Sequence, residues 1–271
     1  MIMYLTLLSV FALAVPAVYT AWPGDSVAAV AEAVQDIPYQ DTLAQAGTPL
    51  LNNLSNRTDN IVLTCKMINE TVLMPDDVFS FNEAVGNRTK ARGFKPAPSF
   101  AGGRVEDSIG GGICQVSSTL YYACLLSNLE IVSRTGHSMC PDYLEMPGLD
   151  ATISWGAIDY RFKNNTGSPV KIFAWMEDEW VNVKILGTKT DSNTVVMESK
   201  ILSTTPSETI FRDNHDLTPG ETRVVQPSFT GYVVETYRVV MDENGQELSR
   251  KLEAKNTYQK LDKIIERGPS G

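Results

Sequence analysis

The sequence predicts an α+β fold, in which glycine-rich loops and a buried helix pack on an antiparallel sheet, followed by a small all-β C-terminal domain. Three observations carry this expectation. A stretch with few helix breakers, Cys114 to Ser127, has apolar positions at helical spacing and begins directly after Gly110, Gly111 and Gly112. Segments of alternating apolar residues joined by short turns then follow as far as Ile185. Beyond a polar linker from Thr188 to Asn193, a second set of alternating strands begins.

Taken in chain order, residues 1–22 form the first element. Ile2 to Tyr19 is almost wholly apolar and the first charge is Asp25, so the run is long enough for a secretory signal or a retained membrane anchor. Both readings send the bulk of the chain out of the cytoplasm. Residues 23–56 read as a helical lead-in, with Val27, Val30, Val34 and Ile37 at amphipathic spacing. A core domain is expected over residues 57–190. Within it Ile61 to Ile68 is a helix or a strand, and turns at Asn69-Glu70 and Met74 to Asp77 lead to Val78 to Phe81. Irregular surface loops are expected from 82 to 112, where Gly86, Gly93, Pro96, Pro98, Gly102 and Gly103 precede the glycine triplet. After the helix, strands are expected at Leu129 to Ser133, Asp150 to Trp155, Tyr160 to Lys163, Val170 to Trp175 and Trp180 to Ile185, the last two joined by the tight turn Met176 to Glu179. Residues 191–271 form the β domain, with a strand from Tyr232 to Val240, a turn at Asp242 to Gly245 and a strand from Gln246 to Leu252. Its charges alternate with apolar residues, the pattern of a thin sheet with little core.

Composition narrows the function classes. The chain has 271 residues, 43% of them hydrophobic and 20% charged, which matches ordinary globular domains rather than a disordered or multi-span chain. Its 32 acidic against 23 basic residues give a net charge of −9, the wrong sign for a broad grip on nucleic acid. Two histidines and four cysteines limit soft-ligand and imidazole chemistry to very few places. Cys65, Cys114, Cys124 and Cys140 have no zinc-site spacing, and no motif calls for a metal or a cofactor. Their even number in an exported chain is compatible with one or two disulfides, such as Cys140 with Cys114 or Cys124.

The chemistry candidate is Cys114, placed where a glycine-rich loop enters a helix. Unpaired N–H groups and the macrodipole at a helix start favour the thiolate. Gly110, Gly111 and Gly112 let a substrate backbone come close, and the Cys114 N–H is placed to hold an oxyanion. His137 follows the next expected strand and can fold back as the base, with Asp150 or Asp159 to orient its imidazole. Arg88, Arg92 and Arg104 lie in the preceding loops and suit a peptide carboxylate, and Gln115, beside the nucleophile, joins Gly110, Gly111 and Gly112 as a candidate substrate-binding residue. Ser117 and Ser118 read as packing or capping residues, having no adjacent base.

Several of these segments carry a resemblance. Phe79-Ser80-Phe81-Asn82, Val85 to Thr89, Gly93-Phe94, the run from Gly110 to Leu120 (GGGICQVSSTL), Arg134 to Ser138, Asp150-Ala151-Thr152 and Asp159 to Asn165 together resemble the VanW-like family, over about residues 57 to 187. Leu217 to Gly220, Gly231-Tyr232, Asn244-Gly245 and Ile264 to Gly268 resemble the five-glycine domain that often follows it, although Pro227-Ser228 replaces one family glycine. The resemblance implies a bacterial cell-envelope protein from a family first named in vancomycin-resistance clusters, with peptidoglycan or another cell-wall polymer as partner. An uncleaved N-terminal segment would add the membrane, and nucleic acid is not a partner. Two functions follow. In one, the core is a Cys–His amidohydrolase or transpeptidase-like enzyme acting on peptidoglycan peptides. In the other it is a non-catalytic wall-binding or scaffolding protein in which Cys114 is structural.

Overall fold

The computed structural model describes residues 39–51, 54–101 and 104–269. The apolar leader and most of the helical lead-in lie outside the described residues. Among those that are described, no helix is long and apolar enough to cross a membrane.

In chain order the core comprises β1 (Asp41–Pro49), α1 (Ser55–Ile68), β2 (Val72–Leu73), β3 (Val78–Ser80), α2 (Phe81–Val85), β4 (Pro96–Ala101), β5 (Arg104–Ile109), α3 (Cys114–Leu126), β6 (Glu130–Ser133), β7 (Arg161–Lys163), β8 (Val170–Glu177) and β9 (Trp180–Gly187). Its main sheet has the order β1-β9-β8-β2, antiparallel throughout. Strict alternation in β9 turns Val181, Val183 and Ile185 inward, and β8 adds Val170, Ile172 and Ala174. Asp178 and Glu179 take positive φ in the hairpin between them, the backbone twist that a two-residue turn requires.

Helix α3 lies on this sheet against β1 and β9. From Gln115 to Leu125 all but Tyr122 are buried, so it is covered on every side rather than along one stripe. Its polar side chains are satisfied internally: Thr119 Oγ1 pairs with Thr48 Oγ1 at 2.8 Å, and Gln115 Nε2 donates to Thr48 Oγ1 at 3.0 Å and to the Pro49 carbonyl at 2.9 Å. A fully buried helix tolerates such residues only when each finds a partner.

Three local expectations change. Residues 41–49 are a strand rather than part of a helical lead-in, because pairing with β9 supplies their backbone bonds and puts Ala46 and Thr48 against α3. Residues 96–109 form the β4–β5 hairpin within the region expected to be loops, and a two-stranded ladder accommodates Pro96 and Pro98, which have no N–H to pair. Asp150 to Trp155 makes only isolated bridges, Thr135 with Thr152 and Ser154 with Ile158. Here α3 takes the place of a neighbouring strand: Ser118 Oγ accepts the Ala151 N–H at 3.1 Å, and Ser117 Oγ donates to the Ala151 carbonyl at 2.6 Å.

The C-terminal part contains β10 (Thr194–Thr205), β11 (Thr209–Asp213), β12 (Thr222–Gln226), β13 (Gly231–Met241), β14 (Glu247–Tyr258) and β15 (Lys263–Arg267). They make two three-stranded sheets, β10-β13-β14 and β11-β15-β12, with β11 parallel to β15. Both sheets are thin and expose much of their surface. The first is docked on the core by polar contacts. Arg238 is buried, donates to the Leu129 carbonyl at 2.8 Å and pairs with Glu253 at 2.9 Å. All four cysteines are free thiols, so the disulfide expectation is corrected: Cys65 and Cys124 are buried singly in the core, and Cys140 Sγ contacts the Pro141 carbonyl.

Candidate active site

The chain enters α3 through a turn that only glycine can make. Gly112 has φ of 98°, and a Cβ there would lie 2.6 Å from Arg57 Cγ; a Cβ on Gly111 would lie 2.1 Å from the Ala97 carbonyl oxygen. The turn leaves Cys114 half-buried at the first position of the helix, on the floor of a cleft of about 820 Å³. The Cys114 N–H has no acceptor among the described residues, as befits the start of a helix.

Around the thiol, Sγ lies 3.7 Å from Thr152 Oγ1 and 3.8 Å from the Ile153 carbonyl, and the His137 ring lines the same cleft, near enough to favour the thiolate. His137 Nδ1 lies 2.6 Å from Asp150 Oδ2, which also accepts the His137 backbone N–H at 2.6 Å. Asp150 is completely buried. Its other oxygen accepts from Arg134 at 2.9 Å and from the Tyr258 hydroxyl. Four donors thus compensate a carboxylate that burial alone would make very costly.

The electrostatics follow from this chain of contacts. Burial disfavours the Cys114 thiolate, but the hydrogen bond and charge of His137 outweigh it, with the Ile153 and Thr152 contacts adding to them, so the thiol is held below its ordinary pKa. Burial likewise opposes charge on His137. The hydrogen bond to Asp150 and the contact with Cys114 reverse that and raise the imidazole to about 9. Asp150 is held at about 2 against its own desolvation, chiefly by the His137 hydrogen bond and charge and by Arg134. The arrangement favours a thiolate–imidazolium pair over two neutral groups.

The residues singled out from sequence fall into two groups. Cys114, His137 and Asp150 come together, and Gly110, Gly111, Gly112 and Arg88 line the cleft above them. Arg88 donates to Asn82 Oδ1 at 2.7 Å, and its guanidinium lies 5.9 Å from the centre of the Trp155 ring. Asp159 is elsewhere: its oxygens accept from Ser80 Oγ at 2.6 Å and the Asn82 N–H at 2.9 Å, so it braces the start of α2 and does not orient His137. Arg92 is exposed and is not among the residues lining the cleft; it donates to the Asn87 carbonyl and lies over Gly86. Gln115 borders the cleft but is buried, with Oε1 taken by Arg57 at 2.6 Å and Nε2 by β1, so its polar atoms are committed within the fold.

Sequence reasoning did not pick out Arg57, Thr152 and Tyr143 as parts of the cleft, nor Arg134 and Tyr258 as partners of Asp150. Arg134 stands three residues before His137 and was within reach of local reasoning. Tyr258 lies 108 residues from Asp150, and no local signal connects them.

The family model described as VanW like protein matches residues 56–186, and that of the G5 domain matches residues 193–270. The chain is 43% identical over 132 residues to the uncharacterized protein YoaR of Bacillus subtilis, covering 49% of this chain and 43% of that protein. It is 34% identical over 136 residues to the vancomycin B-type resistance protein VanW of Enterococcus faecalis, covering 49% of this chain and 48% of that one. Each match spans less than half of the relative. Among solved structures, an IgA1 protease G5 domain shares 22% identity over 31% of this chain and 100% of its own length, with a TM-score of 0.19, and the G5 domain of HP0197 shares 18% over 28% and 97%, with a TM-score of 0.17. The glycine turn, Cys114 and the His137–Asp150 pair all lie inside the segment that matches the VanW-like model, and the segment after it matches the G5 domain.

Proposed function

We propose that the VanW-like domain is a cysteine-dependent acyl transferase or hydrolase acting on peptide amides of peptidoglycan, outside the cytoplasm. The observation that carries this reading is that Cys114 and His137 line one open cleft, with the His137 ring bonded to a buried Asp150. The Cys114 thiolate attacks the amide carbonyl, forming the S–C bond, and the carbonyl oxygen gains negative charge beside the unpaired Cys114 N–H. As the C–N bond breaks, the His137 imidazolium gives its proton to the departing amine, leaving a thioester and a neutral imidazole. An incoming amine or water then attacks the thioester, His137 takes its proton, and Cys114 leaves as the thiolate.

The wall polymer as substrate is supported by the similarity to a vancomycin B-type resistance protein of Enterococcus faecalis and by the match to a G5 domain. Export is supported by the apolar run from Ile2 to Tyr19, which would act as a signal or an anchor. The test is incubation of the purified chain with cross-linked peptidoglycan and with isolated stem peptides, followed by mass spectrometry. New or lost amide bonds that vanish in Cys114→Ala and His137→Ala support the enzyme. Unchanged peptide alongside retained binding to sacculi would replace it with the wall-binding role.

A further inference from the structure

We propose that Tyr258, a residue of the G5 domain, is a positioning residue of the Cys114 site, holding Asp150 in the orientation that aligns His137. The inference rests on the reading of Cys114 as the nucleophile and assigns the second domain a part in that chemistry.

Asp150 has two oxygens with separate tasks. Oδ2 serves His137 twice, through the ring and through the backbone N–H. A carboxylate that can turn about its own bond would lose this double contact. Oδ1 is therefore the point where rotation is stopped, and its donors are Arg134 and the Tyr258 hydroxyl. Arg134 is itself held from the second domain, donating to Asn256 Oδ1 at 2.5 Å. Both restraints on Oδ1 thus pass through the last three residues of β14. Immediately beyond, the Gln259 N–H donates to the Ser138 carbonyl at 2.7 Å, fastening the strand end to the residue after His137.

The site is also closed to water on this side. Tyr258 is 2% exposed and Asn256 9%. A hydrogen bond to a carboxylate in such surroundings is stronger than one at a surface. Burial and the adjacent Asp150 charge push the Tyr258 phenol well above its ordinary range, so it stays protonated and donates. The other ionisable groups facing Asp150 are Tyr121, Cys140 and Tyr143, all raised by burial and hence neutral in the working range. The same domain also supplies Pro227 and Phe229 to the wall of the cleft. A passive spacer would have no reason to reach the site at two points, one beneath Asp150 and one on the cleft wall.

The experiment measures iodoacetamide alkylation of the Cys114 peptide by mass spectrometry between pH 4 and 10, on the full chain. Wild type, His137→Ala, Tyr258→Phe, Asn256→Ala and the control Tyr237→Phe are compared, with thermal unfolding of each. Tyr258→Phe keeps the buried ring and removes only the hydroxyl. It is expected to move the alkylation midpoint towards that of an ordinary thiol and to slow labelling at pH 6 roughly tenfold. Asn256→Ala, which loosens Arg134 on the same oxygen, shifts the midpoint the same way, and Tyr237→Phe leaves it in place. If His137→Ala shifts the midpoint while Tyr258→Phe and Asn256→Ala superimpose on wild type, with lowered thermal stability or not, the positioning role is overturned and the contact is only domain glue. If His137→Ala also superimposes on wild type, the nucleophile reading fails and takes this inference with it.

Discussion

Asp150 Oδ2 accepts two hydrogen bonds from His137, one from the backbone N–H and one from ring Nδ1, each at 2.6 Å. The double contact fixes the ring and keeps the Nδ1 proton turned to the carboxylate. Everything the site can do follows from that constraint.

Asp150→Asn removes the charge while keeping the shape. It leaves Arg134 and an imidazolium facing a neutral amide in a buried place, where breaking one side of an ion pair costs about 3–5 kcal/mol. Chemical denaturation is expected to show a loss of that order. Alkylation of Cys114 at neutral pH is expected to slow by at least about tenfold, because the imidazolium that supports the thiolate has lost its partner. A variant with wild-type stability and labelling would remove Asp150 from the site.

Acid should expose the same carboxylate. Asp150 titrates at about 2 in the folded chain against an ordinary 3.8. A depressed carboxylate contributes stability that is fully present above its unfolded value and lost as pH falls through the folded one. Unfolding free energy should therefore drop between about pH 4 and pH 2 in wild type by more than in Asp150→Asn. Urea titrations at fixed pH steps measure the difference, and parallel curves would contradict it.

Asp159 gives the opposite signature. Its oxygens brace Ser80 and the Asn82 N–H at the start of α2, and Ser80 in turn caps Glu83. Asp159→Ala is expected to cost about 0.5–2 kcal/mol, as the loss of a helix-start acceptor does. The pH dependence of Cys114 labelling should stay where it is; a shift would mean that Asp159 reaches the thiol.

Gly111→Ala tests the turn. Its new Cβ would meet the Ala97 carbonyl at 2.1 Å, and backbone on both sides leaves no flexible atom to yield. A melting-temperature drop equivalent to at least about 1–3 kcal/mol is expected, the range for overpacking a close-fitted site. Gly167→Ala, at a glycine that like Gly111 has no positive φ but has nothing within 4 Å of the added atom, supplies the comparison without the close approach. Equal effects from the two would show that close approach is not what Gly111 provides.

Much of this was legible locally. The helix from Cys114 is visible because its breaker-free, apolar pattern is continuous and glycines mark its start. Strands β8, β9 and β13 are visible because alternation has a period of two and their turns are short. Cys114 and His137 could be paired as candidates because scarcity left one histidine near the thiol: His215 lies exposed in the other domain. The strand at 41–49 was not legible, since its backbone partners come from β9, far along the chain; the hairpin at 96–109 pairs only with itself, but its prolines and glycines mask the alternation that would mark a strand. Choosing between Asp150 and Asp159 was out of reach for the same reason. One opens and the other follows the expected strand after His137, and only packing shows that Asp150 meets His137 and Asp159 meets α2.

Residue types and spacing by themselves marked the helix at Cys114, the alternating strands on either side of the polar linker, and Cys114 and His137 as the candidate pair, because each of these depends on interactions within one element or on the bare count of residues able to do the chemistry; the naming of the two domains came from resemblance. Tertiary structure alone decided which carboxylate serves that pair, that all four thiols are free, and that the G5 domain reaches beneath the site through Tyr258 and Asn256. A buried charge is stabilised by whichever donors the fold brings within hydrogen-bonding distance, and for Asp150 one of those donors lies more than a hundred positions away along the chain.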